Sequence, residues 1–299
     1  MSLIENALEK MRRSAAAGGR SADPAGRRES PGPAAAAASV LADRAADPKG
    51  RHITIDWESV RAAGYLPQAD QSRRFADHYR QIKRPLIEHA LAADSASDTR
   101  LILLTSALPG DGKTFTAMNL ALSMARERDI SVLLIDADVP RSRISHLFGL
   151  RSQPGLVDAL VSESSDPESY VVHTDVDGLE VLPAGESVED AAELLASARL
   201  SQITARLLAR NPRRLVLFDS APLLGSSEAR ALVRIPGQIV LVVRAHVTPR
   251  QAVLDAVTYL DANRFQGFVL NEVMTARGSG YYYGYSNYGS VGKEPAGAG

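Results

Sequence analysis

The sequence predicts an α/β fold in which a mainly parallel sheet carries helices on both faces. Six apolar runs, each the length of a strand, alternate with segments of helical periodicity. A glycine-rich loop joins one of these runs directly to a helical segment. The expected strands are 101–106, 131–136, 179–183, 214–219, 238–244 and 267–271, and the expected helices are 113–127, 189–209, 225–234 and 249–262.

Composition excludes several classes of protein. The 299 residues are 45% hydrophobic and 23% charged, close to the average of globular proteins. The 34 Lys and Arg against 35 Asp and Glu argue against nucleic acid as a partner, because phosphate backbones require a basic excess. The absence of cysteine excludes disulfides, thiolate metal sites and cysteine nucleophiles. Without a bilayer-length apolar run or a secretory signal, we expect a cytoplasmic protein.

Four regions follow one another along the chain. Residues 1–13 place apolar side chains at helical spacing and predict an amphipathic helix, which either frays or docks on a partner helix or a membrane surface. Residues 14–50 are rich in Ala, Gly, Pro and Ser and predict a disordered linker. Residues 51–275 form the predicted folded domain, and residues 276–299 form a flexible tyrosine-rich tail.

Residues 107–114, with the sequence ALPGDGKT, match the relaxed Walker A form of a phosphate-binding loop. The loop follows the strand LILLTS and opens a helix, the setting in which main-chain N–H groups hold phosphates. Gly110 and Gly112 let the backbone approach the anion, Lys113 would pair with the β- and γ-phosphates, and the Thr114 hydroxyl would bind Mg²⁺. The candidate nucleotide-binding residues are Pro109, Gly110, Asp111, Gly112, Lys113, Thr114 and Phe115.

Two other predicted strands end in carboxylates. VLLIDAD places Asp136 and Asp138 at the end of one strand, and RLVLFDSAP places Asp219 at the end of another, as in a Walker B motif. An aspartate in such a place often caps a turn or helix. Beside a phosphate loop, however, one carboxylate orders Mg²⁺ and another accepts a proton from an attacking hydroxyl. We therefore expect a metal site of Thr114, Asp136 and Asp219, and catalytic roles for Lys113, Asp136, Asp138 and Asp219.

Five of the nine tyrosines lie within eight residues near the C-terminus. Core tyrosines occur singly with a hydrogen-bond partner, so packing does not explain this cluster. One alternative is a sticky tail without a modification role. The five residues are Tyr281, Tyr282, Tyr283, Tyr285 and Tyr288.

These features together resemble the bacterial P-loop tyrosine autokinases of capsule and exopolysaccharide loci. The resemblance rests on ALPGDGKT, on LLIDADVPR (the Walker A′ motif of that family), on LVLFDSAP and on the tyrosine cluster, within residues 75–290. The opening MSLIENALEKMRR resembles a cytoplasmic subgroup found beside exosortase-linked polysaccharide genes. The implied fold is a P-loop NTPase of the MinD/ParA-like SIMIBI type.

The resemblance also implies ligands and partners. They are ATP, Mg²⁺, further copies of the chain, and a transmembrane polysaccharide co-polymerase that acts as activator. Such an activator would hold this protein at the inner face of the membrane as a peripheral component. By the resemblance, the five clustered tyrosines are phosphoacceptors that a neighbouring copy phosphorylates in trans. By the same resemblance Asn271 reads adenine, and the alternative is a strand-end turn residue.

The sequence departs from the family pattern in two places. The family's oligomer-forming helix reads Glu-x-x-Arg-x-x-Arg, and here Asp77, Arg80 and Lys83 hold these positions. Lysine cannot make the bidentate bonds of arginine, so the alternative for this stretch is an ordinary solvated helix face. In Walker A′, Pro140 holds the place of the usual arginine and Arg141 follows it.

Two other functions fit parts of the sequence. One is a MinD/ParA-like switch ATPase without kinase activity, but such proteins carry a second lysine at the position of Leu108. The other is a regulatory module that binds nucleotide without turning it over. The presence of every expected catalytic carboxylate argues against such a non-catalytic module.

Overall fold

The computed structural model describes residues 51–92 and 97–273, and within them eight strands form one sheet. The strands are β1 (Arg51–Ile53), β2 (Leu101–Ser106), β3 (Ser131–Ala137), β4 (Val172–Thr174), β5 (Leu179–Leu182), β6 (Arg214–Ser220), β7 (Gln238–Arg244) and β8 (Phe265–Asn271). Their order is β1-β4-β5-β3-β6-β2-β7-β8. All neighbouring strands are parallel except β4 and β5. The predicted mainly parallel sheet is therefore confirmed.

Helices lie in the connections between the strands. They are α1 (Trp57–Ala62), α2 (Ser72–Leu91), α3 (Lys113–Met124), α4 (Arg143–Leu147), α5 (Leu156–Val161), α6 (Ala191–Ala196), α7 (Ala198–Arg210), α8 (Ser227–Leu232) and α9 (Arg250–Val257). Three short 3₁₀ turns add Ala69–Gln71, Ser97–Arg100 and Pro167–Tyr170. The tail tyrosines and residues 1–50 lie outside the described residues.

The sequence located the long strands well and the short elements poorly. All six predicted strands are present within two residues at each end. The single helix predicted over 189–209 is wrong, because Ser197 is extended (φ −73°, ψ 157°) and separates α6 from α7. Both the main-chain N–H and the hydroxyl of Ser197 donate to the carbonyl of Leu194, at 3.2 and 2.6 Å, and close the end of α6. Strands β1 and β4 are missing from the prediction, because three residues are too few to show an alternation of apolar and polar side chains.

The core consists of two layers, one on each face of the sheet. Successive residues of a strand point to opposite faces, so Leu101 and Leu103 pack in one layer while Ile102 and Leu104 pack in the other. The first layer is covered by α5 to α9, and the second by α1 to α4. Strands β2, β3 and β6 are buried along their whole length. The centre of the sheet thus forms a rigid base for the loops that follow it.

Helix α2 is fastened along α3, the helix that begins at the phosphate loop. The rings of Phe75 and Phe115 meet edge to face with centroids 5.9 Å apart. One turn further along α2, burial raises the pKa of the Tyr79 hydroxyl, and the side chain of Thr116 lies close enough to oppose that shift. The next residue on this face is Lys83.

Lys83 faces α3 and only 6% of it is exposed. Its Nζ donates to the Ser123 carbonyl at 2.6 Å and lies 2.7 Å from a Glu127 oxygen. Asp77 and Arg80 remain exposed and pair with each other. Lys83 is therefore not part of a solvated helix face, and the subunit contact of this helix stays a prediction.

We predict that Lys83→Met lowers the free energy of unfolding by about 1–3 kcal/mol, because the Ser123 carbonyl loses a charged donor. Arg80→Met is the matched control and should change stability by less than about 0.5 kcal/mol, since Arg80 is exposed. Urea unfolding of both variants measures the difference. Equal stabilities would contradict the described role of Lys83.

Candidate nucleotide site

The loop between β2 and α3 has the backbone of a phosphate-binding loop. Gly110 and Gly112 have φ angles of +88° and +94°, which residues other than glycine rarely adopt. Gly112 lies directly before the first residue of α3, so free N–H groups of this helix N-terminus lie beside the loop. The Ser106 hydroxyl donates to the Leu108 carbonyl at 2.8 Å. Pro109 and Gly110 form the exposed tip.

The carboxylates at the C-terminal ends of β3 and β6 meet at the same edge of the sheet. Asp136 and Asp219 are register partners on these adjacent strands, and both are fully buried. Asp219 is also next to β2, where it pairs in register with Leu104, three residues before the loop begins. Two of the predicted acidic residues and the loop are therefore brought together by strand pairing alone.

Lys113, the first residue of α3, completes this cluster. It is 6% exposed, and burial lowers the pKa of its ammonium group. The charges of Asp219 and Asp138 oppose that shift, because they favour the protonated lysine. Asp138 is 4% exposed, and burial raises its pKa while Lys113 and Arg141 lower it. Arg141 therefore acts on the site by its charge despite its displaced position in the sequence.

Asp219 is the least satisfied group in the described part of the chain. Neither of its oxygens has a hydrogen-bond partner of good geometry, although the Thr114 hydroxyl lies close enough to lower its pKa. Burial, followed by the charge of Asp136, raises the pKa of Asp219 to about 8. Buried carboxylates without partners are costly, so these oxygens indicate a place for a bound cation.

Asp136 is held by a residue that the sequence analysis missed. Its Oδ2 accepts from both the main-chain N–H and the hydroxyl of Ser145, each at 2.7 Å. The Ser145 oxygen in turn accepts from the Ala184 N–H at 2.9 Å, which joins α4 to the end of β5. Asp136 Oδ1 is left without a partner. Burial raises the pKa of Asp136 to about 6, against the lowering effect of Ser145.

The remaining predicted binding residues lie around the loop. Asp111 is 3% exposed and turns its carboxylate into the loop. Asn271, at the end of β8, donates from Nδ2 to the Asp111 carbonyl at 3.1 Å. Phe115 is half-buried and packs on α2. Its predicted role and the adenine contact of Asn271 both stay predictions.

This fold and edge define a P-loop nucleotide-binding protein of the α/β class. Residues 99–253, just over half of the chain, match the family model of the AAA domain, so the chain belongs to that family. The tyrosine-protein kinase YwqD of Bacillus subtilis is 32% identical over 186 residues, which cover 61% of this chain and 77% of YwqD. The tyrosine-protein kinase Wzc of Salmonella typhimurium is 31% identical over 197 residues.

The solved kinase domain of the Escherichia coli tyrosine kinase ETK superposes with a TM-score of 0.57 at 27% identity, over 69% of this chain and 80% of that one. The chain is therefore a member of the bacterial tyrosine-protein kinase family, as the resemblance predicted. The match covers 64% of this chain but only about a quarter of Wzc, 26% of its length.

We predict that Ser145→Ala destabilises the protein and weakens Mg²⁺-dependent nucleotide binding, because Asp136 loses a donor and the Ala184 N–H loses its acceptor. The expected loss is about 1–3 kcal/mol in the free energy of unfolding. Ser169→Ala, which removes an exposed hydroxyl bonded only to Asp166, is the control. A Ser145→Ala protein as stable as the control would contradict the described support of Asp136.

The raised pKa of Asp219 predicts a pH-dependent stability. Between its ordinary value of 3.8 and about 8, the unfolded chain ionises this carboxyl first, so stability falls as pH rises. Asp219→Asn removes this effect, and the variant should gain stability relative to the parent between pH 5 and pH 8. The gain is at most about 1.4 kcal/mol per pH unit. Urea unfolding without magnesium or nucleotide measures it, and a pH-independent difference would refute the prediction.

Proposed function

We propose that this chain is an ATP-dependent protein-tyrosine autokinase that phosphorylates the tyrosine cluster of a neighbouring copy. The observation that carries the proposal is the buried cluster at the carboxyl edge of the sheet. There, Lys113 lies among three buried carboxylates, two of which have unpartnered oxygens. Such a cluster is costly in an empty protein and suits a magnesium-bound triphosphate.

The loop amides and the N-terminus of α3 would hold the phosphates of ATP. Both groups present N–H donors where the loop approaches the helix, and the helix dipole adds partial positive charge. Lys113 would neutralise charge on the transferring phosphoryl group, which stabilises the transition state more than the ground state. The candidate contacts remain the loop residues Pro109 to Phe115.

The residues at this edge also suit Mg²⁺. Asp219 has two unpartnered oxygens, Asp136 has one, and the Thr114 hydroxyl lies beside Asp219. Carboxylate and hydroxyl oxygens are the ligands that Mg²⁺ prefers. When bound, the ion would supply positive charge that offsets the charge of the phosphates. Thr114, Asp136 and Asp219 would hold it.

Asp138 is a better candidate than Asp136 for the base that accepts the proton of the tyrosine hydroxyl. Ser145 occupies one oxygen of Asp136 and the metal would take the other, whereas Asp138 is slightly more accessible. The tyrosine hydroxyl would give its proton to the Asp138 carboxylate as its oxygen bonds to the γ-phosphorus. The bond between that phosphorus and the β–γ bridging oxygen breaks, and ADP leaves.

The tyrosine cluster follows the site closely along the chain. Strand β8 ends beside the loop, and Val273, the last described residue, is 51% exposed. Tyr281 and Tyr288 come 8 and 15 residues later. An extended chain of that length reaches roughly 25–50 Å. Its length therefore allows the tyrosines to reach either the site of their own chain or the site of a neighbouring copy. Transfer between copies is proposed from the family resemblance.

The same resemblance supports the cellular part of the proposal. It includes a homo-oligomer, a transmembrane co-polymerase as activator, a role in exopolysaccharide synthesis or export, and a cytoplasmic location at the inner face of the membrane. No helix within residues 51–92 and 97–273 has the length and apolarity needed to cross a bilayer. Nucleic acid is not among the proposed partners, given the balanced charge.

We expect Lys113→Met to abolish phosphotyrosine formation with Mg²⁺ and ATP, because the phosphoryl group loses its buried cation.

Tyr→Phe at all five cluster positions should remove most labelling and preserve nucleotide binding. Mass spectrometry after incubation with Mg²⁺ and ATP identifies the phosphorylated residues. ATP hydrolysis without any phosphotyrosine, also in the presence of a membrane activator, would favour the switch ATPase instead.

Mixing two variants tests transfer between copies. The Lys113→Met chain keeps its tyrosines, and the five-fold Tyr→Phe chain keeps its Lys113. We expect phosphate on the Lys113→Met chain only when both are present, at a rate that rises with concentration. Labelling of the parent that is first order at every dilution, with no labelling in the mixture, would contradict transfer in trans.

A further inference from the structure

The phosphate loop carries a carboxylate of its own at Asp111. A negative charge in a loop that binds anions is unfavourable unless its oxygens are engaged elsewhere. Asp111 is 3% exposed, and its Oδ2 accepts the Leu108 N–H at 3.0 Å. Its Oδ1 accepts from the hydroxyl of Thr248 at 2.6 Å, across 137 residues of sequence.

Thr248 belongs to the turn that ends β7. Its hydroxyl oxygen accepts the Arg244 N–H at 3.0 Å, and its own N–H donates to the Arg244 carbonyl at 3.0 Å. The single hydroxyl proton is therefore directed at Asp111. Because two bonds fix Thr248 on the end of a buried strand, it is a rigid anchor for the loop.

A second bond reaches the same loop residue from β8. Asn271 Nδ2 donates to the Asp111 carbonyl, and its amide lies so close to Gly112 that a Cβ there would stand 1.9 Å from Nδ2. The Asn271 carbonyl accepts the Ala245 N–H at 2.9 Å, which holds the ends of β7 and β8 together. The side chain and the main chain of Asp111 are thus bound to the ends of two adjacent strands.

We propose that Thr248 is a positioning residue for the nucleotide site: its hydroxyl fixes Asp111, with Asn271 holding the same residue, so that the loop keeps its N–H groups toward the phosphates. The inference rests on the proposed nucleotide chemistry and adds a residue outside the recognised motifs. Without the Thr248 hydroxyl, one oxygen of a buried carboxylate has no donor. The loop then loses a bond that holds its main chain in place.

Thr248→Val keeps the shape of the side chain and removes the hydroxyl. We expect about tenfold weaker binding of Mg²⁺·ADP by the full chain and a similar rise in KM for ATP, from the loss of a hydrogen bond to a charged group. The value of kcat should change little, because the loop binds substrate and transition state alike. Thr248→Ser restores the hydroxyl and should bind like the parent, as should Thr258→Val on the exposed end of α9.

A double-mutant cycle establishes the route through Asp111. In an Asp111→Ala background, the further change of Thr248 to Val should alter the affinity for Mg²⁺·ADP by less than about twofold. Parent-like affinity of Thr248→Val, or an undiminished effect in the Asp111→Ala background, would overturn the proposal. A parent that binds nucleotide without forming phosphotyrosine would overturn the kinase proposal alone.

Asn271→Ala gives an independent measurement should Thr248→Val fail to fold. If the amide holds the loop, affinity falls by the same factor for ADP and GDP, since both share the phosphates. A loss confined to ADP would show that Asn271 reads the base, and would overturn its part in the proposed arrangement. Fluorescent analogues of the two nucleotides provide the readout.

Discussion

The pairing of β3 with β6 sets Asp136 and Asp219 side by side in a buried position, and the rest of the site depends on this constraint. Two carboxylates held together away from water repel each other and lack solvation, so the protein alone satisfies them poorly. Lys113 relieves only part of this charge. Stability is thereby given up at one edge of an otherwise well-packed sheet, which is a common cost of a functional site.

The surrounding elements limit how this edge can rearrange. Ser145 restrains Asp136 from α4, while Thr248 and Asn271 restrain the loop from the ends of β7 and β8. On the other side, α2 is packed along α3 through Lys83 and two aromatic residues. Because α3 begins with Lys113, a displacement of α2 would move α3 and change the position of Lys113 in the proposed phosphate site. The exposed pair Asp77 and Arg80 lies on that same helix, where the family resemblance expects subunit contact.

Sequence reasoning succeeded where chemistry is local and failed where it depends on distant partners. The position of Asp136, Asp138 and Asp219 at one edge of the sheet was predictable, because each comes at the end of an apolar run and parallel strands share a carboxyl edge. Ser145 and Thr248 were not, since nothing in their own neighbourhoods indicates a partner; Thr248 lies 137 residues from Asp111. The contact of Lys83 with Ser123 was not predictable either, because spacing places a residue on a helix without saying which neighbour its side chain meets. The broken helix at Ser197 shows that periodicity continues across a one-residue interruption.

Calorimetric titration of the full chain with ADP, with and without Mg²⁺, tests most directly whether the buried acidic edge and Lys113 form a nucleotide site. The account predicts saturable binding of one nucleotide per chain that weakens strongly when magnesium is withheld and disappears in Lys113→Met. Binding that is absent in the parent, or that is indifferent to both magnesium and Lys113, would contradict it.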